Sequence, residues 1–265
     1  MKTSSPALDA SRTCGPGYRP LSPDDIGRIH ESALTVLETV GFADAIPSCV
    51  DALAGVGAVP GADGRIRFPR NLVLDTIARA ARGITLYGQR PEHDLRLDGA
   101  NVHFGTAGVA VNLVDAERRE YRESRLQDIY DAARLAEGLD NIHFFQRPMV
   151  ARDIADPLEL DFNTLYACVA GTSKHVGTSF TVRENVKPAL EMLHMIAGSE
   201  EKFRARPFVS NSNGFVVSPM KFAEDACGVL EECVKGGLPI LLLSVGQAGI
   251  TAPDELAGAV VQTVA

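Results

Sequence analysis

Polar side chains gather where four apolar runs end: Gln146 and Arg147 after IHFF, Thr178 and Ser179 after HVG, Asn211 to Asn213 in SNSNG, and Ser244 and Gln247 in SVGQAG. Amides and a guanidinium at such points could orient a polar or anionic ligand, because burying them without partners is costly. Two plainer readings compete: SNSNG also has the composition of a turn, and Gln247 could cap the helix that follows it. Phenylalanines stand near the same run ends, at Phe104, Phe144, Phe145, Phe180 and Phe215, where core packing competes with ligand contact. His175 opens its run, reads as lying on the face away from the site, and is expected to be a packing residue. No covalent or metal chemistry is spelled out. The five cysteines, Cys14, Cys49, Cys168, Cys227 and Cys233, contain no C-x-x-C pair, and the six histidines lack metal-binding spacing, so the thiols read as small reduced hydrophobes and a metal held by this chain is disfavoured. No Ser-His-Asp or Cys-His signature stands out.

The elements that must position these groups follow from periodicity. Between about Arg125 and the final residues, helical and apolar strand patterns alternate four times: helices near 125–138, 157–170, 183–197 and 219–235 precede IHFFQRPMV, KHVGTSF, RPFVSNSNGF and LPILLLSVGQAG. Asp156 and Pro157 mark one helix start. This alternation predicts βα units around a parallel sheet buried on both faces. A (β/α) barrel of TIM type places its site at the strand C-terminal ends, where the polar tips fall. A doubly wound sheet would carry a Gly-rich phosphate loop, and GTAG at 105–108 is followed by β-like sequence instead of a helix.

Upstream, the chain changes character. Residues 1–20 read as a disordered arm, and 21–100 as a helical and β cap, with helices from Ser22 to Gly41, 48–54 and 70–81 and hairpins beyond Ile84; residues 101–265 form the partial barrel. A hydrophobic content of 45%, a charged content of 23% and a net charge of −8 describe a globular chain and argue against a nucleic-acid or anionic-membrane partner. No apolar run reaches the ~20 residues of a membrane span, and the N-terminus has no apolar signal core, which points to the cytoplasm.

Four blocks carry a resemblance: LSPDDIGRIHESALTVLETVGF, LAGVGAVPGADGRIRFPRNLV, NVHFGTAGVAVNLVDAERREYRESRLQDIYDAARLAEGLDNIHFF and GQAGITAPDELAGA. Together they resemble the trimethylamine methyltransferase (MttB-like) family over nearly the whole chain beyond residue 20. The resemblance implies a (β/α)8 barrel, truncated here after about five βα units, because family members are nearly twice as long. Asp254 and Glu255 depart from the small or β-branched residues usual in the family's turn. The pyrrolysine that a subset of the family uses would lie beyond Ala265. An unclosed barrel would leave Ile240 to Val245 as an apolar edge that invites self-association, a homo-oligomer included.

The activity implied is transfer of a methyl group from a tertiary or quaternary methylated amine, of trimethylamine or betaine type, to the cobalt of a corrinoid. That corrinoid is carried by a cognate partner protein or is free in solution. Aromatic faces at Phe104 and Phe145 would meet the methylated cation. Gln146, Asn211, Asn213 and Gln247 would orient it, and Arg147 would meet a betaine carboxylate. Two alternatives stay open: a truncated, non-catalytic protein that binds a methylated amine or a partner subunit, and an unrelated barrel enzyme such as a uroporphyrinogen-type decarboxylase.

Overall fold

The computed structural model describes residues 21–99, 101–244 and 246–265. The expected arm at 1–20, Cys14 and Val245 lie outside the described residues.

The first helix, α1 (Pro23–Thr39), starts on a capping box. The Asp25 N–H donates to Ser22 Oγ at 3.1 Å and the Ser22 N–H to the Asp25 carboxylate at 3.2 Å, so two orphan donors of the first turn are satisfied reciprocally. Just beyond its C-cap Val40 comes Gly41, whose φ of 64° is left-handed and whose missing side chain leaves room for the Ile66 carbonyl. Then come α2 (Pro47–Gly55), the hairpin of β1 (Val59–Pro60) with β2 (Ile66–Arg67), and α3 (Arg70–Arg79). Two further antiparallel hairpins pair β3 (Ile84–Leu86) with β4 (Leu95–Leu97), and β5 (Asn112–Val114) with β6 (Tyr121–Glu123), where the Gly, Pro and Asp-Gly punctuation predicts them.

The alternating region follows. In chain order it holds α4 (Leu126–Glu137), β7 (Phe144–Gln146), α5 (Pro157–Gly171), β8 (His175–Thr178), α6 (Val186–Ala197), α7 (Glu200–Ala205) and β9 (Val209–Asn213). The hairpin of β10 (Val216–Val217) with β11 (Lys221–Phe222) then leads to α8 (Glu224–Gly236), β12 (Ile240–Leu242) and α9 (Leu256–Val264). The four strands β7, β8, β9 and β12 form one parallel sheet in sequential order. Helices supply every crossover, as parallel pairing requires. The strand order does not reverse as it would in a doubly wound sheet. The segment around Gly105 extends the other edge through an isolated parallel bridge to Phe144.

Two details differ from the sequence reading. The helix expected over 219–235 begins only at Glu224, because Val216 and Val217 pair with Phe222 and Lys221 around a turn in which Met220 has a φ of 56°, outside the helical region. The short α7, with the Ser199 hydroxyl as its N-cap acceptor, lies in a stretch with no helical period to reveal it.

Alternation along the strands sorts their side chains onto two faces. Phe145, Val176 and Val209 are register partners and fully buried against Ile129, Leu165, Leu193 and Val229 of α4, α5, α6 and α8. Each such side chain contributes about 1.5–3 kcal/mol of transfer free energy. The residues one step out of phase, Phe144, Gln146, His175, Gly177, Ser210 and Ser212, occupy the opposite face.

A smaller core of Phe42, Phe222 and Cys227 ties the N-terminal helices to the β10–β11 hairpin. At the N-terminal ends of the strands, the Gln89 side chain donates to the Val169 and Thr172 carbonyls and the Arg206 guanidinium grips Asp94.

Candidate functional site

The site is built outward from β7. Its centre is fixed by Phe145, which is 0% exposed in the helix-side core; with that ring committed, Phe144 and Gln146 must point to the opposite face. Gln146 is held at both ends. The Thr106 hydroxyl donates to its carbonyl at 2.6 Å, and its side-chain Oε1 accepts a long hydrogen bond from Ser212 Oγ at 3.4 Å. To reach Ser212 on β9, the amide crosses β8 above Gly177, its register partner. A Cβ at Gly177 would fall on Gln146 Oε1.

The same face continues toward the strand N-termini through a sealed polar contact. His175 is 1% exposed, its Nδ1 lies 2.8 Å from the Tyr87 carbonyl and its Nε2 3.0 Å from Ser210 Oγ. The carbonyl can only accept, so Nδ1 carries the proton and Nε2 accepts from the serine. Burial pulls the imidazole down to about 4, against the opposing effect of the Tyr87 hydrogen bond, which keeps the ring neutral near pH 7. The packing role agrees with expectation but the face does not: His175 is the register partner of Phe144 and so lies on the face of Gln146, not the one turned away from it.

The register redistributes the other candidates. Phe145 faces the helices. Asn211 and Asn213 share the parity of Val209 and point the same way: Asn213 donates to the Ala226 carbonyl of α8 at 3.0 Å, while Asn211, 0% exposed, has no hydrogen-bond partner on either side-chain polar atom among the described residues. Arg147 also turns to the helix side. Its Nη2 donates to Ser179 Oγ at 2.7 Å, and burial lowers its pKa, with Cys168 and Asp161 opposing that shift from nearby. Asp161 itself is saturated, accepting from Thr181 N at 2.7 Å, Thr181 Oγ1 at 2.8 Å and Asn185 Nδ2 at 2.8 Å; the loop after β8 is thereby hooked to α5. Phe104 is 63% exposed at the strand N-terminal end, its backbone paired with His143 and its ring stacked on the His143 imidazole. Gln247 is exposed; its backbone organises the turn before α9 by accepting from Ile250, Thr251 and Ala252.

The structure therefore places Phe144, Gln146 and Ser212 on one face of the sheet, puts Phe145, Arg147, Asn211 and Asn213 on the other, and leaves Phe104 at the strand N-terminal end and Gln247 in the exposed turn before α9. Phe144 and Ser212 were legible as residues near run ends. What selects them is parity, set by the apolar triplet Phe145, Val176 and Val209.

A cavity of about 440 Å³ lies between the N-terminal helices, the β10–β11 hairpin and α9, walled by Phe42, Phe68, Phe215, Phe222, Leu242 and Val264. Among the described residues no charged side chain lines it. Among the described cysteines, Cys168, Cys227 and Cys233 are buried free thiols, each pushed up to about 12 chiefly by burial, and the half-buried Cys49 is raised by burial and by the neighbouring Glu231.

The family model described as trimethylamine methyltransferase (MTTB) matches residues 2–265. The chain is 31% identical over 252 residues to the trimethylamine methyltransferase MttB of Desulfitobacterium hafniense, covering 95% of this chain and 50% of that protein. It is 27% identical over 243 residues to the trimethylamine methyltransferase MttB of Methanosarcina barkeri, covering 90% and 49%. To the glycine betaine methyltransferase of Desulfitobacterium hafniense it is 26% identical over 248 residues, covering 92% and 50%. The chain thus spans about half the length of the curated relatives it matches.

Proposed function

The chain belongs to the trimethylamine methyltransferase family, and on that premise we propose that it transfers a methyl group from a tertiary or quaternary methylated amine, of trimethylamine or betaine type, to the cobalt of a corrinoid brought by a partner protein. The parallel strands belong, in this reading, to a (β/α)8 barrel. Its mouth lies at the C-terminal ends of the strands, where barrel sites form, and its inner face is the one bearing Phe144, Gln146 and Ser212. That mouth is also the docking surface for the corrinoid protein.

The reduced cobalt would supply the nucleophile and the amine would leave with the electron pair of the broken C–N bond, a quaternary ammonium as the neutral tertiary amine and trimethylamine, carrying its proton, as neutral dimethylamine; this chain would hold the donor nitrogen and aim one N-methyl carbon outward. A methylated ammonium spreads its charge over its methyl groups and is attracted by ring faces and carbonyl-type oxygens. Phe144 supplies the first and Gln146 Oε1 the second. A betaine carboxylate would need Arg147 to turn away from Ser179, so methylammonium recognition is the part better supported.

The observation that carries this reading is the Gln146 amide laid across Gly177 toward Ser212, on the face the main helical core leaves free. The test is methyl transfer to cob(I)alamin from trimethylamine, glycine betaine, carnitine and proline betaine, with the 265-residue chain and with one extended to the relatives' length. Methylcobalamin should form from at least one donor, and Gln146→Ala should raise KM for that donor. No methylcobalamin from any donor removes the assignment.

A further inference from the structure

On the opposite face from the helical core, β7 is flanked by two glycines, each the bridge or register partner of one of its side chains. Gly105 is bridged to Phe144 on one side, and Gly177 pairs with Gln146 on the other. Neither glycine has a positive φ, so backbone freedom does not explain them. Space does. A Cβ at Gly105 would run into the Phe144 ring, and a Cβ at Gly177 into the Gln146 carboxamide. Glycine inside a strand weakens it and marks a close approach by another group. Here the approaching groups are the two side chains of β7, folded down in opposite directions onto the neighbouring strands.

The consequence is a floor two side chains wide. The Phe144 ring lies over Gly105, and the Gln146 amide lies over β8 with Ser212 within 3.4 Å. Alanine at either glycine would lift one of these groups off the sheet and into the space above it. The far end of Gln146 is flexible and would yield to the new methyl, so the expected effect is displacement of the amide with the fold retained.

We propose that Gly105 and Gly177 are positioning residues for the methylated-amine site, kept free of side chains so that Phe144 and Gln146 lie flat as its floor. This rests on the functional reading above and assigns roles to two residues that touch no reacting atom. Gly177 acts through Gln146, and Gly105 through Phe144.

A double-mutant cycle separates this from a merely structural role. Binding of trimethylamine and glycine betaine is measured by calorimetry on the 265-residue chain and on its Gly177→Ala, Gln146→Ala and doubly substituted forms, with thermal unfolding as the check on folding. Gly177→Ala should weaken binding of the better ligand at least about fivefold, and by less than about twofold once Gln146 is already alanine. Gly105→Ala paired with Phe144→Leu should behave the same way. Equal losses in both backgrounds, or Gly177→Ala binding as well as the unmodified chain while Gln146→Ala binds poorly, overturn the positioning roles and leave the function standing. If neither the unmodified chain nor one extended to the relatives' length binds any of the four donors, the functional reading fails and takes the proposal with it.

Discussion

The buried imidazole of His175 should make the stability of this chain fall on mild acidification. In the folded state its pKa is drawn down to about 4 by burial, from an ordinary value of 6.5. The unfolded chain therefore binds a proton that the folded chain refuses. Stability from this residue is fully present above 6.5, declines as the pH falls below it, and reaches its full loss near 4. Between pH 7.5 and 5.0 the two values give a loss of about 2 kcal/mol, and moving the folded value by a unit in either direction changes this by less than about 0.5 kcal/mol. For a chain of this size that corresponds to roughly 4–8 °C in melting temperature.

The assay is denaturant unfolding at both pH values, on the unmodified chain and on His175→Asn. Asparagine can keep a donor near the Tyr87 carbonyl and does not titrate. The substitution carries its own cost at pH 7.5, from the lost Ser210 contact and the smaller volume, but that cost is independent of pH. The quantity read is the difference in pH slope, from which the other histidines cancel because both proteins contain them. Carboxylates titrate mostly below this window. Parallel curves for the two proteins would refute the argument, by showing that His175 either carries its proton in the folded state or reaches water.

Further outcomes follow from the same geometry. Phe145→Ala, in the middle of the helix-side core, should cost about 3–5 kcal/mol in unfolding free energy, whereas a ligand-contact role without a core role would leave stability nearly unchanged. Arg147→Met should leave thermal stability unchanged or raise it, since a buried guanidinium with one neutral acceptor is costly to desolvate; a loss above about 2 kcal/mol would mean that the Ser179 and Asp161 surroundings compensate it fully. Asp156→Ala removes the N-cap of α5, whose carboxylate accepts from Glu159 N at 2.9 Å, and should cost about 1 kcal/mol by denaturant melts. Cys168, Cys227 and Cys233 should resist thiol reagents at pH 8 under native conditions and react on unfolding, as followed by mass shift; rapid native labelling of Cys168 would contradict its burial.

Much of the architecture could be read from the chain because each signal had a single physical meaning. Ser22 with Asp25 and Pro23 fixed the start of α1, Asp156 with Pro157 that of α5, and the apolar strands separated by helical periods implied parallel pairing, which the sequential order of β7, β8, β9 and β12 bears out. The hairpin at β10–β11 was hidden because Pro219 suits both the first turn of a helix and a tight turn, and only the pairing of Val216 with Phe222 decides between them.

The candidate site was legible by position along the strands but not by face. A side-chain period of two means that an error of one residue exchanges the core for the site, and three-residue β7 gives too short a run for its own alternation to settle the matter. Phe144 and Phe145 are identical as letters. What distinguishes them is that Phe145 stands level with Val176 and Val209, while Phe144 stands level with His175 and Gly105, and those alignments exist only after the strands have paired. The glycine in HVGT is the residue that carries the same information in advance, since a strand interior gives up a side chain where something else must occupy its volume. Reading Gly177 as a space holder would have pointed to a β7 side chain folded over it, and hence to Gln146 and its parity, before any fold was known.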